Sequence, residues 1–333
     1  MAIRIGITNA EYSKAREVFE AENEFECIPV PEDEAEIAQA IVKNDIKHVI
    51  IGVFTYQDEL YRSLQKGSVI ARFGVGHDGV NKELASSMGI FCTNTPGTLD
   101  NAVAEYTVSL LLLAARPTVD LATQFKMGFW QSVVGFELKG KKLAVIGCGP
   151  IGKKVARIAS FGLQMNVTGC DILELDSEMM KREFGFDHIT KDFGEAVYGA
   201  DFISLHIPNS KVNYHFLNGE KLSMLPRHSW LINTARGALI DENALYVALY
   251  QKKIAGAVLD VFEREPYEPS GSVDLRTLEN IIMLPHLGSS TKEACDEMAA
   301  RCLKNIYYAE KNEYERMDLL NKACSFSTLK TGN

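Results

Sequence analysis

KLAVIGCGPIGKKVARIASFGLQMNVTGCD, residues 142–171, governs the reading of the rest of the chain: an apolar run, a glycine turn, an amphipathic segment, a second run and an acid. Residues 143–146 are a short apolar run of the buried parallel-strand type, and Gly147, Gly149 and Gly152 follow at once in the spacing G-x-G-x-x-G. The first glycine permits a tight turn, the second lets backbone approach a pyrophosphate, and the third lets a helix lie close to a strand. Pro150 suits an early helical position, where a missing N–H loses nothing. Ile151, Val155, Ile158 and Ala159 then share one helix face, and Gly162 stands where a helix-ending glycine is expected.

The amino end of this helix would present free N–H groups and a positive dipole to a phosphate. The next strand, 166–170, ends at Asp171, about 20 residues past the glycines, where a carboxylate can accept both hydroxyls of an adenosine ribose. Ile172 and Leu173 follow, so no cation is placed to meet a 2′-phosphate. The stretch therefore predicts a dinucleotide site, with NAD expected over NADP.

A chain of 333 residues has material for two domains with sizeable cores. Its 46% hydrophobic and 24% charged residues are the composition of an ordinary globular protein. The formal charge of −9 and the lack of any Lys/Arg run argue against nucleic acid as a partner. The amino end has no apolar signal core, and the most apolar stretch, 102–115, carries Glu105 and is too short to span a bilayer, so neither export nor a membrane is expected. Seven cysteines without a C-x-x-C suggest no disulfide framework and no metal site, and they read as small buried hydrophobes in a reducing cytoplasm.

From the start, strand-like and helix-like segments alternate: IRIGIT, a helix to about Glu22, FECIPV, a helix over 32–43, HVIIGV, a helix near 57–64, SVIARF, a helix near 82–88 and IFCT. Such alternation builds a parallel sheet with helices on both faces. NTPGTLDN (94–101) interrupts it as a hinge, and a long apolar helix begins. A second helix near 119–130 leads to the glycine-turn strand and a second alternating series, and one long helix over 291–312 ends the ordered chain. The expected fold is α/β, with two doubly wound parallel-sheet domains, Rossmann-like or flavodoxin-like. Residues 1–100 plus 287–333 form the substrate domain, and 101–286 form an inserted NAD-binding domain. The tail KACSFSTLKTGN reads as a loose extension.

Three clusters stand at the ends of strand-like runs, where open α/β sheets place ligands: LINTARG (231–237), VLDVFEREP (258–266) and IIMLPHLGSS (281–290). Each contributes one candidate for the chemistry: Arg236, Glu265 and His286. Moving a hydride between a nicotinamide and C2 of a 2-hydroxy acid calls for a planar cation to hold the carboxylate, and Arg supplies paired hydrogen bonds. It also calls for an acid/base near neutrality, which His supplies, and a neighbouring carboxylate such as Glu265 favours its protonated form. Singly, these residues could be a surface ion pair, a solvated loop acid and a loop histidine. Their recurrence at successive strand ends after a dinucleotide motif favours the catalytic reading.

NTARG, DVFEREP and PHLGSST, with GCGPIG and Asp171 upstream and NTPGTLDNAVAEYTVSLLL before them, resemble the D-isomer-specific 2-hydroxyacid dehydrogenases over nearly the whole chain. The resemblance implies an active site in a cleft between two Rossmann-like domains, a homodimer, and NAD held by the inserted domain. Position by position it implies that Arg236 binds the substrate carboxylate and that His286 with Glu265 is the acid/base pair. Pro150, Ile151, Asp171, Ile207, Pro208 and Asn213 match cofactor contacts; Thr234, Ala235 and Asp260 match residues around the nicotinamide. In FGVGHDG (73–79), the backbone N–H groups of Val75 and Gly76 match a loop that meets the substrate carboxylate.

Where phosphoglycerate dehydrogenases carry an Arg-Ser pair, IIGVFTYQDE (50–59) has Val53 and Phe54. A non-phosphorylated 2-keto or 2-hydroxy acid is therefore expected, while Phe54 and Phe73 read equally well as core or as substrate wall. Two other readings keep the fold: a dinucleotide-sensing scaffold like the corepressors that share it, and a phosphite-type dehydrogenase. Formate is disfavoured, because formate enzymes of this fold place glutamine where Glu265 stands.

Overall fold

The computed structural model describes residues 2–269 and 273–321. The tail beginning at Lys322, with its Cys324, lies outside these residues. Two compact units form, Met1–Leu99 with the segment from Ser290 onward, and Asp100–Ser289. Both are parallel α/β sheets.

The first unit has strands β1 (Ile3–Thr8), β2 (Phe25–Val30), β3 (His48–Ile51), β4 (Val69–Arg72) and β5 (Phe91–Thr93), in the order β2-β1-β3-β4-β5. All pairings are parallel, the flavodoxin-like order. β3 and β4 are buried along their whole length, as strands covered on both faces must be. The helix Glu34–Lys43 starts where the Asp33 carboxylate accepts the N–H groups of Ala35 and Glu36, and it buries Ile37 and Ile41. The expected continuous helix to about Glu22 is instead two short ones, Asn9–Lys14 and Arg16–Glu20. The ladder restarts at Ala15, whose carbonyl accepts from both Val18 and Phe19.

The long helix Lys292–Glu310 belongs to this unit and buries Met298, Ala299, Cys302, Leu303 and Ile306. Its end is pinned where Glu310 meets Nε2 of the wholly buried His48 at 3.0 Å, while Nδ1 of that ring accepts the Val69 N–H.

The second unit has strands β6 (Lys142–Ile146), β7 (Asn166–Cys170), β8 (His188–Thr190), β9 (Phe202–Leu205), β10 (Trp230–Asn233), β11 (Gly256–Leu259) and β12 (Ile281–Met283). The order β12-β11-β10-β9-β6-β7-β8 is a Rossmann sheet with one added edge strand, and strand order reverses between β6 and β9. Ligands of such sheets bind outside the strands' carboxyl ends at that reversal. The helix Asp100–Ala115 packs against this sheet and buries Val103, Ala104, Val108, Leu110 and Leu111.

Among the described residues no single helix is long and apolar enough to cross a membrane. This helix and Thr118–Lys126 pass that test only as a pair bent by 67°. Gly162 does not end the helix of the glycine motif. The helix Pro150–Arg157 continues as a wider π-turn through Ile158–Gly162, and the left-handed residue is Gln164, with φ +56°.

Candidate active site

Space assigns the three motif glycines different tasks. Gly147 has φ +99°, and a Cβ there would lie 2.6 Å from the carbonyl oxygen of His206. At Gly152 a Cβ would lie 2.0 Å from the Gly147 carbonyl oxygen, so helix and turn touch through backbone. At Gly149 an added Cβ would meet nothing within 4 Å. The fold itself makes no demand for glycine there, and the space is suited to a phosphate lying against bare backbone. Gly149 is also the N-cap of the Pro150 helix and supplies no side-chain cap, so the first N–H groups remain available to an anion.

Asp171, at the end of β7, accepts the Cys148 N–H at 2.8 Å and the Leu173 N–H at 2.9 Å. The acid is thereby tied to the glycine turn. A carboxylate has about four acceptor positions, which leaves capacity for a ribose diol. The side chains of Ile172 and Leu173 are exposed. Burial pushes the Cys148 thiol up to about 12 and Cys170 up to about 11, so both are packing groups and not nucleophiles. The turn, helix start and acid fit a dinucleotide.

On the other side of the sheet reversal, the His206 N–H donates to the Ile146 carbonyl, and the Ile207 side chain would come within 2.9 Å of a Cβ at Gly147. Asn213 Nδ2 donates to the Pro208 carbonyl at 2.9 Å, folding that loop back on itself. Burial holds His206 down to about 4, and its Nε2 lies 2.8 Å from Ser204 Oγ; sequence reasoning had no signal for this neutral pair.

Three further strand ends supply the ionisable groups. After β10, Asn233 shapes the turn: its Oδ1 accepts the Ala235 N–H at 3.0 Å and its Nδ2 donates to the Arg236 carbonyl at 2.8 Å. A Cβ on Gly237 would fall 1.8 Å from the carbonyl carbon of Phe262, so this turn rests directly on the backbone of the loop after β11. In that loop Glu265 accepts the Phe262 N–H at 3.0 Å through Oε1, and its Oε2 lies 2.5 Å from His286 Nδ1. Burial acts to raise the Glu265 carboxyl, but His286, the Phe262 N–H and Arg236 outweigh it and hold the group below the ordinary value of 4.5. An ionised Glu265 makes Nδ1 the donor, which leaves Nε2 to exchange a proton with a ligand. The pair keeps 29% and 26% of its side-chain surface exposed, enough to be reached.

His286 sits at φ +56° on the loop after β12, and its N–H donates to the Asp260 carbonyl at 2.8 Å. The Asp260 side chain is wholly enclosed. Its carboxylate accepts the Leu287 N–H at 2.8 Å, the Gly288 N–H at 2.9 Å and the Tyr106 hydroxyl at 3.0 Å. Burial pushes Asp260 up, opposed by these donors and by His286. Thr234, also after β10, shares a 2.9 Å hydrogen bond with Thr107. Tyr106 and Thr107 escaped the sequence reading because they lie in the most apolar stretch of the chain, which reads as a buried helix.

The structure thus assembles Arg236, Glu265, His286, Thr234, Ala235 and Asp260 on neighbouring strand ends of one unit, in the same sheet as the glycine turn. Val75 and Gly76 belong to the other unit, after β4, where the Val75 carbonyl accepts Asn94 Nδ2 at 2.7 Å. Phe73 is core, at 4% exposure, whereas Val53 and Phe54 are 46% and 42% exposed.

Residues 108–288 match the family described as D-isomer specific 2-hydroxyacid dehydrogenase, NAD binding domain. A glyoxylate reductase of Thermococcus litoralis is 37% identical over 79% of this chain and 80% of its own length. A D-3-phosphoglycerate dehydrogenase of Methanocaldococcus jannaschii is 36% identical over 88% of this chain and 54% of its own. A crystal structure of an NADPH-dependent glyoxylate/hydroxypyruvate reductase from Sinorhizobium meliloti, in complex with NADP and malonate, superposes with a TM-score of 0.77. It is 26% identical, over 92% of this chain and 93% of that one.

Proposed function

Because the chain belongs to the D-isomer specific 2-hydroxyacid dehydrogenase family, and is an NAD-dependent enzyme of that kind, we propose that it reduces a small, non-phosphorylated 2-keto acid at C2, or oxidises the corresponding D-2-hydroxy acid. Bound NAD(H) supplies or takes up the hydride. Arg236 holds the substrate carboxylate and polarises the keto oxygen with its fork of N–H donors. His286, with Nδ1 on Glu265, delivers a proton from Nε2 to that oxygen during reduction and takes it back during oxidation. Glu265, ionised below its ordinary range, orients the ring and balances its charge.

The observation that carries this reading is the 2.5 Å contact between His286 Nδ1 and Glu265 Oε2, with Arg236 close enough to stabilise the same carboxylate. The glycine turn, Pro150 and Ile151 would hold the pyrophosphate, and Asp171 the ribose. Ile207, Pro208 and Asn213 would line the cofactor on the far side of the sheet reversal. Thr234, Ala235 and Asp260 would stand near the nicotinamide. Asp171 beside exposed Ile172 and Leu173 supports NAD over NADP. The glyoxylate reductase relative supports a small keto acid, and the phosphoglycerate dehydrogenase relative makes the phosphorylated substrate a necessary control.

The homodimer is supported by an apolar row left uncovered by the described residues of the chain. The helix Thr118–Lys126 buries none of its residues, and Phe125, Met127, Phe129, Trp130 and Val134 are 57% to 96% exposed.

The test is an NADH-oxidation panel over glyoxylate, hydroxypyruvate, pyruvate, phenylpyruvate, 2-ketoisocaproate and 3-phosphohydroxypyruvate, run on wild type and Arg236→Ala. Turnover should be lowest with the phosphorylated acid. Arg236→Ala should lose roughly 100-fold or more in kcat/KM while NADH still binds. Wild-type turnover in that variant would sink the role given to Arg236.

A further inference from the structure

Tyr106 lies on the helix Asp100–Ala115, 154 residues before Asp260, and its hydroxyl donates to Asp260 Oδ1 at 3.0 Å. The same oxygen accepts the Leu287 N–H, and Oδ2 accepts the Gly288 N–H, so three donors from two distant parts of the chain share one enclosed carboxylate. A buried carboxylate is tolerable only when its oxygens are met by donors. Here two of the donors are the residues directly after His286, and the Asp260 carbonyl takes the N–H of His286 itself. Asp260 thus clamps the backbone on which His286 stands at φ +56°, a region that costs a non-glycine residue free energy unless its surroundings impose it.

The helix also touches that loop by packing. A Cβ at Gly288 would lie 3.4 Å from Asp260 Oδ2, 3.6 Å from Val103 and 3.8 Å from the Tyr106 ring. The next residue of the helix, Thr107, bonds Thr234 after β10. Two adjacent side chains therefore brace two neighbouring strand ends, and burial raises the Tyr106 phenol so that it stays a protonated donor.

We infer that Tyr106 is a positioning residue for the reaction: through its hydrogen bond to the Asp260 carboxylate it fixes the loop that aims His286 at the substrate. The inference rests on the proposed acid/base role of His286 and extends it to a residue that acts through Asp260 and the loop of His286. Replacing the phenol by a phenyl ring keeps the packing and removes only the donor. The Asp260 carboxylate then loses one of its three donors, the loop it holds is less firmly fixed, and His286 samples orientations in which Nε2 is off line.

The experiment compares wild type, Tyr106→Phe and His286→Gln by steady-state keto-acid reduction in H2O and D2O, NADH titration by fluorescence, and thermal melting. Tyr106→Phe should lose roughly fivefold to tenfold in kcat, the worth of about one hydrogen bond, with NADH affinity within about twofold of wild type. Its solvent isotope effect on kcat should rise above the wild-type value, because proton transfer becomes more nearly rate-limiting. Wild-type kcat and isotope effect in Tyr106→Phe, beside an inactive His286→Gln, would overturn the positioning role and leave the catalytic reading standing. A Tyr106→Phe protein that loses kcat, NADH affinity and melting temperature together would also overturn it, since the hydroxyl would then serve the fold. A fully active His286→Gln would bring down the acid/base reading itself.

Discussion

Glu265 shows how the groups around a carboxyl decide its charge. Burial alone would raise its carboxyl, yet His286, the Phe262 N–H and Arg236 hold it below 4.5. A carboxyl with a depressed folded-state value contributes stability that is present above its unfolded value and is lost as pH falls through the folded one. Glu265→Gln should therefore melt below wild type at pH 7, and the gap should close as the pH is taken below 4.5. Keto-acid reduction by Glu265→Gln should also fall roughly tenfold in kcat, because the ring loses the ionised acceptor that orients Nδ1. Wild-type kcat in Glu265→Gln would show that the 2.5 Å contact does not serve the reaction. The candidacy of Glu265 was legible from sequence, because an acid and a histidine end neighbouring strands. The sign of its shift was not, because it depends on the burial, Phe262 N–H and Arg236 that the fold brings to it.

At the scale of an element, the strand-turn-helix unit of β6 separates two demands on glycine that the motif merges. Gly152 is required by the fold: its Cβ would fall 2.0 Å from a backbone oxygen that has nowhere to move. Gly152→Ala should lose about 3 kcal/mol of stability in denaturant unfolding, at the upper end of overpacking costs. Gly149 has open space and an extended backbone any residue accepts, so Gly149→Ala should fold within about 1 kcal/mol of wild type yet bind NADH at least tenfold more weakly. Equal NADH affinity in Gly149→Ala would mean the space is not used by the phosphates. The same element shows a limit of pattern reading. Gly162 suits a helix end on composition, but the chain widens into a π-turn there and reverses at Gln164.

For the whole molecule, the apolar row from Phe125 to Val134 is left uncovered by the described residues of a single chain. Light scattering after size exclusion should give twice the chain mass of 36.9 kDa, and Trp130→Asp with Val134→Asp should shift it toward the single-chain value. A wild-type protein that runs at 36.9 kDa at micromolar concentration would remove the homodimer from the reading. Trp130 and Val134 were present in the sequence, but exposure cannot be read from composition, since apolar residues near a helix are as often core as surface.

The sequence by itself determined the five strands of the first unit, the strands on either side of the glycine helix, the glycine turn with Asp171, and the candidacy of Arg236, Glu265 and His286. Each of these depends on local spacing: alternation decides which segments form strands, and a strand's end decides which residues face ligand space. Only the tertiary structure decided what holds those residues in place. Tyr106 reaches Asp260 across 154 positions, Gly237 rests on Phe262, and Cys148 donates to Asp171. Such contacts join residues that no period connects, and they arise only when the sheet sets strand ends side by side and the helix Asp100–Ala115 packs against them.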